Sequence, residues 1–121
     1  MTKITAIKEN HVFSRAYAKG KRAAARTVVV YALKNYRTRD TRLGITASRK
    51  LGNAVQRSRA RRLIREAFRH IASEREFVRP FDLIVVARGA LFDKKRKMQD
   101  ARADLEEAFS SLGLFRPGSE S

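Results

Sequence analysis

Three segments of the chain repeat their apolar residues at helical spacing. The first predicts a short helix over Asn10–Lys19, with Gly20 at the position of a C-terminal cap. The second predicts a long helix over about 54–75, and the third predicts a final helix over 98–112. The apolar positions that define these helices are Val12, Phe13, Ala16 and Tyr17, then Ala60, Ile64, Ala67, Phe68 and Ile71, then Met98, Ala101, Leu105, Ala108, Phe109 and Leu112.

Shorter runs rich in β-branched residues predict three strands. Two of them, 25–33 and 42–49, flank a polar turn at 35–40 and are expected to pair as a hairpin. The third, 82–88, is apolar along most of its length, which is typical of a strand buried on both faces. Asp82 is expected to begin that strand or to pair with an arginine rather than to bind a metal.

These elements predict an α/β (α+β) two-layer sandwich with a small mixed sheet, one hairpin and helices at both ends. A length of 121 residues suits a single domain, with a core over about 8–112 and a frayed tail at 115–121. The sequence contains no internal repeat, no low-complexity linker and no sign of a second domain. The long helix joins strands 42–49 and 82–88, a crossover that is normally right-handed.

The predicted long helix has a strongly basic outer face. Solvated helix faces usually mix Glu with Lys, whereas here like charges four residues apart repel by a few tenths of a kcal/mol each. Guanidinium groups give phosphate planar pairs of donors and also stack on bases. The face therefore indicates a polyanionic partner such as RNA or DNA, and a merely solvated face is the alternative. Opposite the apolar stripe lie Ser58, Arg61, Arg62, Arg65 and Arg69.

The start of this helix is also suited to anions. Asn53 is expected to cap it, with Gln56 completing a capping box. A helix N-terminus carries unpaired N–H groups and the positive end of the helix dipole. The cations Arg49, Lys50 and Arg57 flank it and reinforce that preference.

The whole chain carries 28 Lys and Arg against 12 Asp and Glu, a net charge of +16 that suits nucleic acid or an anionic surface. Its longest apolar runs, 28–33 and 83–87, are far shorter than the roughly 20 residues that span a bilayer. No signal peptide is evident, so we expect a cytoplasmic protein. Without cysteine and with only His11 and His70, the sequence predicts no disulfide, thiolate nucleophile or metal cluster.

The segment 49–68 resembles the signature of the bacterial ribonuclease P protein component, in which a basic pair, a Gly-x-Ala-Val turn and an Arg-Asn-Arg core lead into an Arg-rich helix. Here the turn and the core are Gly52-Asn53-Ala54-Val55 and Arg57-Ser58-Arg59. The first helix and the three strands follow the family's order and spacing, so the resemblance covers about 8–112. Ser58 replaces the family's Asn, and it keeps one donor and acceptor but lacks the paired edge of an amide.

This resemblance implies a left-handed crossover and an RNA-binding subunit of ribonuclease P. The RNA partner would remove the 5′ leader of precursor tRNA by hydrolysis, with magnesium held mainly by RNA phosphates. The chain itself would then contribute no catalytic side chain and bind no cofactor, no small-molecule substrate and no membrane. The residues implied to bind the catalytic RNA are Arg49, Lys50, Asn53, Arg57, Ser58, Arg59, Arg61, Arg62, Arg65 and Arg69.

The resemblance also implies a cleft between the first helix and the sheet, which holds the single-stranded leader. Aromatic rings beside cations stack unpaired bases at ~1–3 kcal/mol per base without a sequence preference. The implied lining is Phe13, Tyr17 and Tyr31, although a place in the core is an equal alternative for Phe13. Thr46 and Ser48 are expected to share one face of the predicted strand 42–49 and to line the floor of the cleft. Two other classes remain open: a non-enzymatic RNA-binding module such as a ribosomal protein, and a protein-only nuclease, against which the lack of a His or carboxylate cluster argues.

Overall fold

The computed structural model describes residues 4–118, which form a mixed α+β fold. Three helices and three of the strands lie within three residues of the predicted bounds, and two short strands were not predicted. The strands are β1 Thr5–Ala6, β2 Lys21–Ala24, β3 Val28–Lys34, β4 Arg42–Thr46 and β5 Phe81–Ala87. The helices are α1 Asn10–Lys19, α2 Ala54–Glu74 and α3 Met98–Ser111, with 3-10 turns at Arg49–Leu51 and Gly89–Phe92.

The five strands form one sheet in the order β1-β4-β5-β3-β2. The central strand β5 runs parallel to β4 and antiparallel to β3, and the hairpin is formed by β2 and β3. The predicted hairpin between 25–33 and 42–49 is therefore wrong, because β5 separates β3 from β4. A strand that is apolar on both faces gains most in the middle of a sheet, and β5 has that composition. The crossover from β4 to β5 is α2, whose left-handed course stays a prediction.

Helices cover the two faces of the sheet unequally. On one face α2 and α3 pack over a large core that includes Ile64, Phe68, Leu105 and Phe109. On the other face α1 packs over a small cluster formed by Ile7, Val12, Ala16 and Ile84. Because α1 has only ten residues, part of this second face stays uncovered.

A buried ion pair fixes the start of α1 on the sheet. The Asp82 carboxylate accepts two hydrogen bonds from Arg42, at 2.8 and 2.9 Å, and a third from the Asn35 amide at 3.0 Å. Arg42 also contacts Glu9, the residue that precedes α1, at 3.3 Å. The expectation that Asp82 pairs with an arginine is confirmed. The hydrogen bond to Asp82 raises the pKa of the Arg42 guanidinium above its ordinary value, so this group stays charged.

The predicted fraying of the tail is wrong at its first residue. Phe115 is only 9% exposed, its ring stacks on Phe77 with 5.7 Å between centroids, and the Arg75 guanidinium lies 3.9 Å from its ring centre. The backbone N–H of Arg116 also donates to the Glu76 carbonyl at 2.7 Å. Phe77, in the loop after α2, therefore provides an aromatic packing partner for Phe115. Residues 119–121 of the predicted tail lie outside the described residues.

Candidate nucleic-acid interface

The basic helix α2 begins with a complete capping box, as predicted. The Asn53 side chain accepts a hydrogen bond from the Gln56 N–H at 2.9 Å, and the Gln56 side chain accepts one from the Asn53 N–H at 2.8 Å. The preceding Gly52 has no room for a side chain, since a Cβ there would lie 2.6 Å from Gln56 Oε1 and 2.9 Å from the Phe92 ring. Close packing explains the glycine at position 52, and the capping hydrogen bonds explain the asparagine at position 53.

The two predicted faces of α2 are both present. Its buried residues are Ala60, Leu63, Ile64, Ala67, Phe68 and Ile71. Its outward residues are Ser58, Arg62, Arg65 and Arg69, which are exposed, and Arg61, which is half-buried. Within residues 4–118, the salt bridges involve only other cations, namely Arg42, Arg75, Arg96, Arg102 and Arg116. The outward arginines of α2 therefore face solvent without a carboxylate partner from the described part of the chain.

Two arginines of the predicted set are held inside the protein. Arg57 donates to the Gly52 carbonyl at 2.9 Å, and Arg59 donates to the carbonyls of Arg96 and Lys94. Both side chains are half-buried. A guanidinium has five N–H donors, so each keeps donors for a phosphate while the fold fixes its position. Arg59 also ties α2 to the loop before α3.

An open depression of about 530 Å³ lies along the first two turns of α2. It is lined by Ala54, Val55, Ser58, Arg59 and Arg62, and the Val55 side chain is 78% exposed. Arg49 and Lys50, in the 3-10 turn before the helix, are also exposed. Apolar surface bordered by cations suits a nucleic-acid backbone, whose sugars are apolar and whose phosphates are anionic.

A second candidate surface lies on the opposite face of the sheet, beside α1. The rings of Tyr17 and Tyr31 meet edge to face with 5.0 Å between centroids, and the Tyr17 hydroxyl lies 3.3 Å from Thr46 Oγ1. Tyr17 is 44% exposed. The strand register places Thr46, Val86 and Val29 in one row across this face. The structure thus brings together three of the five predicted cleft residues beside an apolar row of the sheet.

Of the other two predicted cleft residues, Phe13 lies one turn before Tyr17 on α1, and Ser48 lies outside the sheet. Phe13 packs on the backbone of β4 at Gly44, where a Cβ would lie 2.7 Å from the ring, and it borders the small cluster beneath α1. Phe13 is half-buried and shares this cluster with Tyr31, so it has a packing role, and its contact with the leader stays a prediction. Ser48 lies beyond the end of β4, and its hydroxyl accepts a hydrogen bond from the Lys50 N–H at 3.2 Å. The prediction that Ser48 shares a strand face with Thr46 is wrong, because β4 ends at Thr46.

The sequence-based prediction missed a cation beside this cleft. Arg22 lies on β2 directly opposite Tyr31, so the two side chains share one face of the sheet. Arg22 is exposed and therefore adds positive charge next to the aromatic pair. The only available signal was a basic pair just after Gly20, and its charged composition argued against a strand.

Residues 4–118 also bear on two other kinds of feature, a metal centre and a membrane-spanning helix. Groups of three or more His, Cys, Asp or Glu residues placed to hold a metal ion do not occur within residues 4–118. None of the helices in that range combines the length and apolar composition needed to cross a membrane.

Comparisons with known proteins agree with one another. The family model described as Ribonuclease P matches residues 1–113. The ribonuclease P protein component of Bacillus velezensis is 32% identical over 119 residues, covering 98% of this chain and 98% of the relative. That of Symbiobacterium thermophilum is 38% identical over 117 residues, covering 96% and 97%.

Solved structures give the same result. The RNase P protein of Staphylococcus aureus superposes with a TM-score of 0.79 at 37% identity, over 94% of this chain and all of that one. The RNase P protein of Thermotoga maritima superposes with a TM-score of 0.73 at 27% identity, over 84% and 92%. Both structures therefore share the fold over at least 84% of this chain.

Proposed function

Since this chain belongs to the ribonuclease P protein family, we propose that its RNA partner performs the hydrolysis and that the chain binds and positions RNA. Membership makes the chain the protein subunit of an endoribonuclease that processes tRNA and that contains the ribonuclease P RNA. The observation that most supports the finer proposal is the row of outward arginines on α2 without carboxylate partners in residues 4–118.

In this proposal α2 binds the catalytic RNA. Arg62, Arg65 and Arg69 neutralise phosphates and release counterions, which lowers the repulsion between two polyanionic RNAs. Arg57 and Arg59, held by backbone carbonyls, give the contact a fixed geometry. Asn53 is committed to capping, so its contribution is to fix where the helix begins rather than to contact RNA with a free side chain.

The cleft beside α1 binds the single-stranded 5′ leader of precursor tRNA. Tyr17 and Tyr31 offer ring faces to unpaired bases, and Arg22 supplies a nearby cation for the backbone. Positioning of this kind lowers the barrier without a catalytic side chain on the protein. The holoenzyme would draw its magnesium through the RNA, and the protein would hold no cofactor of its own. A cytoplasmic location stays a prediction.

Reconstitution tests whether the RNA performs the hydrolysis while the protein binds and positions RNA. Precursor tRNA is incubated at low magnesium with the purified protein freed of RNA by nuclease digestion, with a bacterial ribonuclease P RNA alone, and with both. We expect cleavage at the 5′ end of the mature tRNA only when both are present, because the protein offsets the charge repulsion that magnesium otherwise screens. Cleavage by the RNA-free protein alone would contradict the proposal.

A further inference from the structure

A second groove lies at the C-terminal end of α1, where the ends of β3 and α3 also meet. Arg15 and Lys19 are each two residues from Tyr17, which places them roughly half a turn around the helix from it. Val12 and Ala16 face the sheet between these two flanks and are buried. Lys19, the last residue of α1, therefore lines this groove, and Tyr17 lies on the opposite side of the same helix.

This groove combines an apolar floor with a basic rim. It has a volume of about 430 Å³ and lies against the edge of β3, with Leu33 and Phe81 among its apolar lining. The charged residues that line it are Lys19, Lys21, Lys34 and Arg79, and no carboxylate of residues 4–118 is among them. None of the four forms a salt bridge with the described part of the chain.

Tyr36 stands at the mouth of the groove and is 79% exposed, more than any other large hydrophobic or aromatic residue described. Its ring stacks on no other aromatic ring of residues 4–118. It also borders an adjoining depression of about 260 Å³ with Arg15, Lys34 and Arg37, where the Asp82 carboxylate that pairs with Arg42 also lies. An aromatic face with cations on both sides is the arrangement that binds a single nucleic-acid strand.

The turn that carries Tyr36 is held firmly. The buried side chain of Asn35 donates to Asp82 at 3.0 Å and to Thr38 at 2.6 Å, and it accepts a hydrogen bond from the Arg37 N–H at 2.9 Å. These three hydrogen bonds of Asn35 thus hold the backbone on both sides of Tyr36. The turn does not depend on burial of the Tyr36 ring, because that ring is exposed. The ring is therefore free to contact a ligand.

We propose that this groove binds a second segment of the precursor leader, with one unpaired base on Tyr36 and neighbouring phosphates on Lys19 and Lys34. The inference rests on the proposed leader cleft. The leader is the occupant that the geometry favours, because Lys19 of the groove and Tyr17 of the cleft lie two residues apart on α1, so a single strand in the cleft can reach the groove. An acidic peptide would match the cations but would leave the exposed ring without a role.

A series of precursor tRNAs whose leaders grow one nucleotide at a time tests the inference in the holoenzyme. We expect Tyr36→Ala to weaken binding of long-leader precursors by roughly 5- to 150-fold and to leave short-leader precursors and mature tRNA unchanged. Tyr36→Phe is the matched control and should bind like the parent, since it keeps the ring. Lys19→Ala combined with Lys34→Ala should lower the salt dependence for long leaders only, by about one unit of slope.

Two results would overturn the inference. If Tyr36→Ala has no effect at any leader length, the groove does not bind the leader. If it weakens short and long leaders and mature tRNA equally, the groove holds the tRNA body or the catalytic RNA instead. Tyr17→Ala in the same series separates this question from the proposed function. If Tyr17→Ala lowers the affinity for precursors with short and long leaders while Tyr36→Ala lowers neither, the leader binds in the cleft and does not bind in the second groove.

Discussion

Two helices cover one face of the sheet, whereas α1 covers only part of the other. The covered face contains most of the buried aromatic rings, among them Phe68, Phe81 and Phe109. The partly covered face keeps Tyr17 and Tyr31 accessible beside it. A small protein needs its apolar side chains for stability, so it can leave aromatic rings exposed only where another surface supplies the core. The comparison predicts that stability depends mainly on one face and substrate binding mainly on the other.

Two phenylalanines on opposite faces give the most direct test. Phe109 is fully buried and its ring meets those of Phe68, Phe77 and Phe115, so Phe109→Ala should lower the free energy of unfolding by about 3–5 kcal/mol. Phe13→Ala, on the partly covered face, should cost roughly 1–3 kcal/mol. Urea denaturation measures both. Equal losses would show that α1 contributes as much to stability as the larger core does.

Removing the ion pair between Asp82 and Arg42 tests how strongly α1 is held on the sheet. Asp82→Ala leaves the Arg42 guanidinium without its main partner, and we expect a loss of about 3 kcal/mol in the free energy of unfolding. Hydrogen exchange should show increased opening of α1 before that of α2, because Arg42 also contacts Glu9 at the start of α1.

The pH dependence of that pair can be stated from the pKa of Arg42, which is raised in the folded state. A raised pKa contributes stability that is present below the ordinary pKa of arginine and is lost only above the folded one. Arg42 should therefore contribute no change in stability between about pH 6 and pH 9. Arg42→Ala should lower the free energy of unfolding by the same amount at both ends of that range.

Tyr17 should affect binding rather than stability. Tyr17→Ala in the holoenzyme should weaken binding of precursor tRNA by roughly 1–3 kcal/mol per stacked base lost, because stacking requires a base that is not already paired. Affinity for mature tRNA should stay unchanged, and the unfolding midpoint should move little because the ring is 44% exposed. Competition binding with labelled precursor measures the difference.

Tyr17→Phe is the control for this experiment. It removes the hydroxyl that lies 3.3 Å from Thr46 Oγ1 but keeps the ring, so binding should fall much less than with alanine. If Tyr17→Ala weakens precursor and mature tRNA equally, the ring does not contact the leader.

The outer face of α2 should show the smallest effect on stability. Arg62→Ala and Arg65→Ala should each lower the salt slope of binding to the ribonuclease P RNA by about one unit. The free energy of unfolding should change by less than about 0.5 kcal/mol, because neither side chain has a partner in the described chain. Arg59→Ala is the informative contrast, since it also breaks the link to the loop before α3.

If the double variant Arg62→Ala, Arg65→Ala keeps both its affinity and its salt slope, these side chains are only a solvated face. Ser58→Asn, which restores the family's usual residue at an exposed position, should be tolerated and should not reduce affinity.

Periodicity predicted the helices well because each has a long apolar stripe and recognisable ends. The capping box at Asn53 is an example, since both its hydrogen bonds join residues three apart in sequence. β1 and β2 were missed because they are short and, in β2, charged, so their pairing depends on a neighbouring strand rather than on their own composition. The hairpin prediction failed for a related reason: nothing near β3 or β4 in sequence reveals that β5 lies between them.

The sequence could predict which way a candidate site residue faces where this depends only on the geometry of a single helix. The outward arginines of α2 follow from helical geometry, and so does the side of α1 that carries Tyr17. The internal hydrogen bonds of Arg59 could not be predicted, because their acceptors are carbonyls about 35 residues away. The sequence places Tyr36 in the predicted polar turn 35–40, between Lys34 and Arg37, and this position alone does not indicate that its ring borders a groove.

The position of β5 has a consequence for synthesis of the protein on the ribosome. The edges of β3 and β4 that face each other are about 10 Å apart, twice the spacing of paired strands, and only β5 fills that gap. β5 is translated after α2, so the nascent chain contains the complete arginine helix before the sheet on which that helix packs. Folding must therefore wait until residue 87 has emerged, and long-range pairing of this kind is slow. Until then the basic helix is exposed, on an unfinished chain, to the RNA-rich surface of the ribosome.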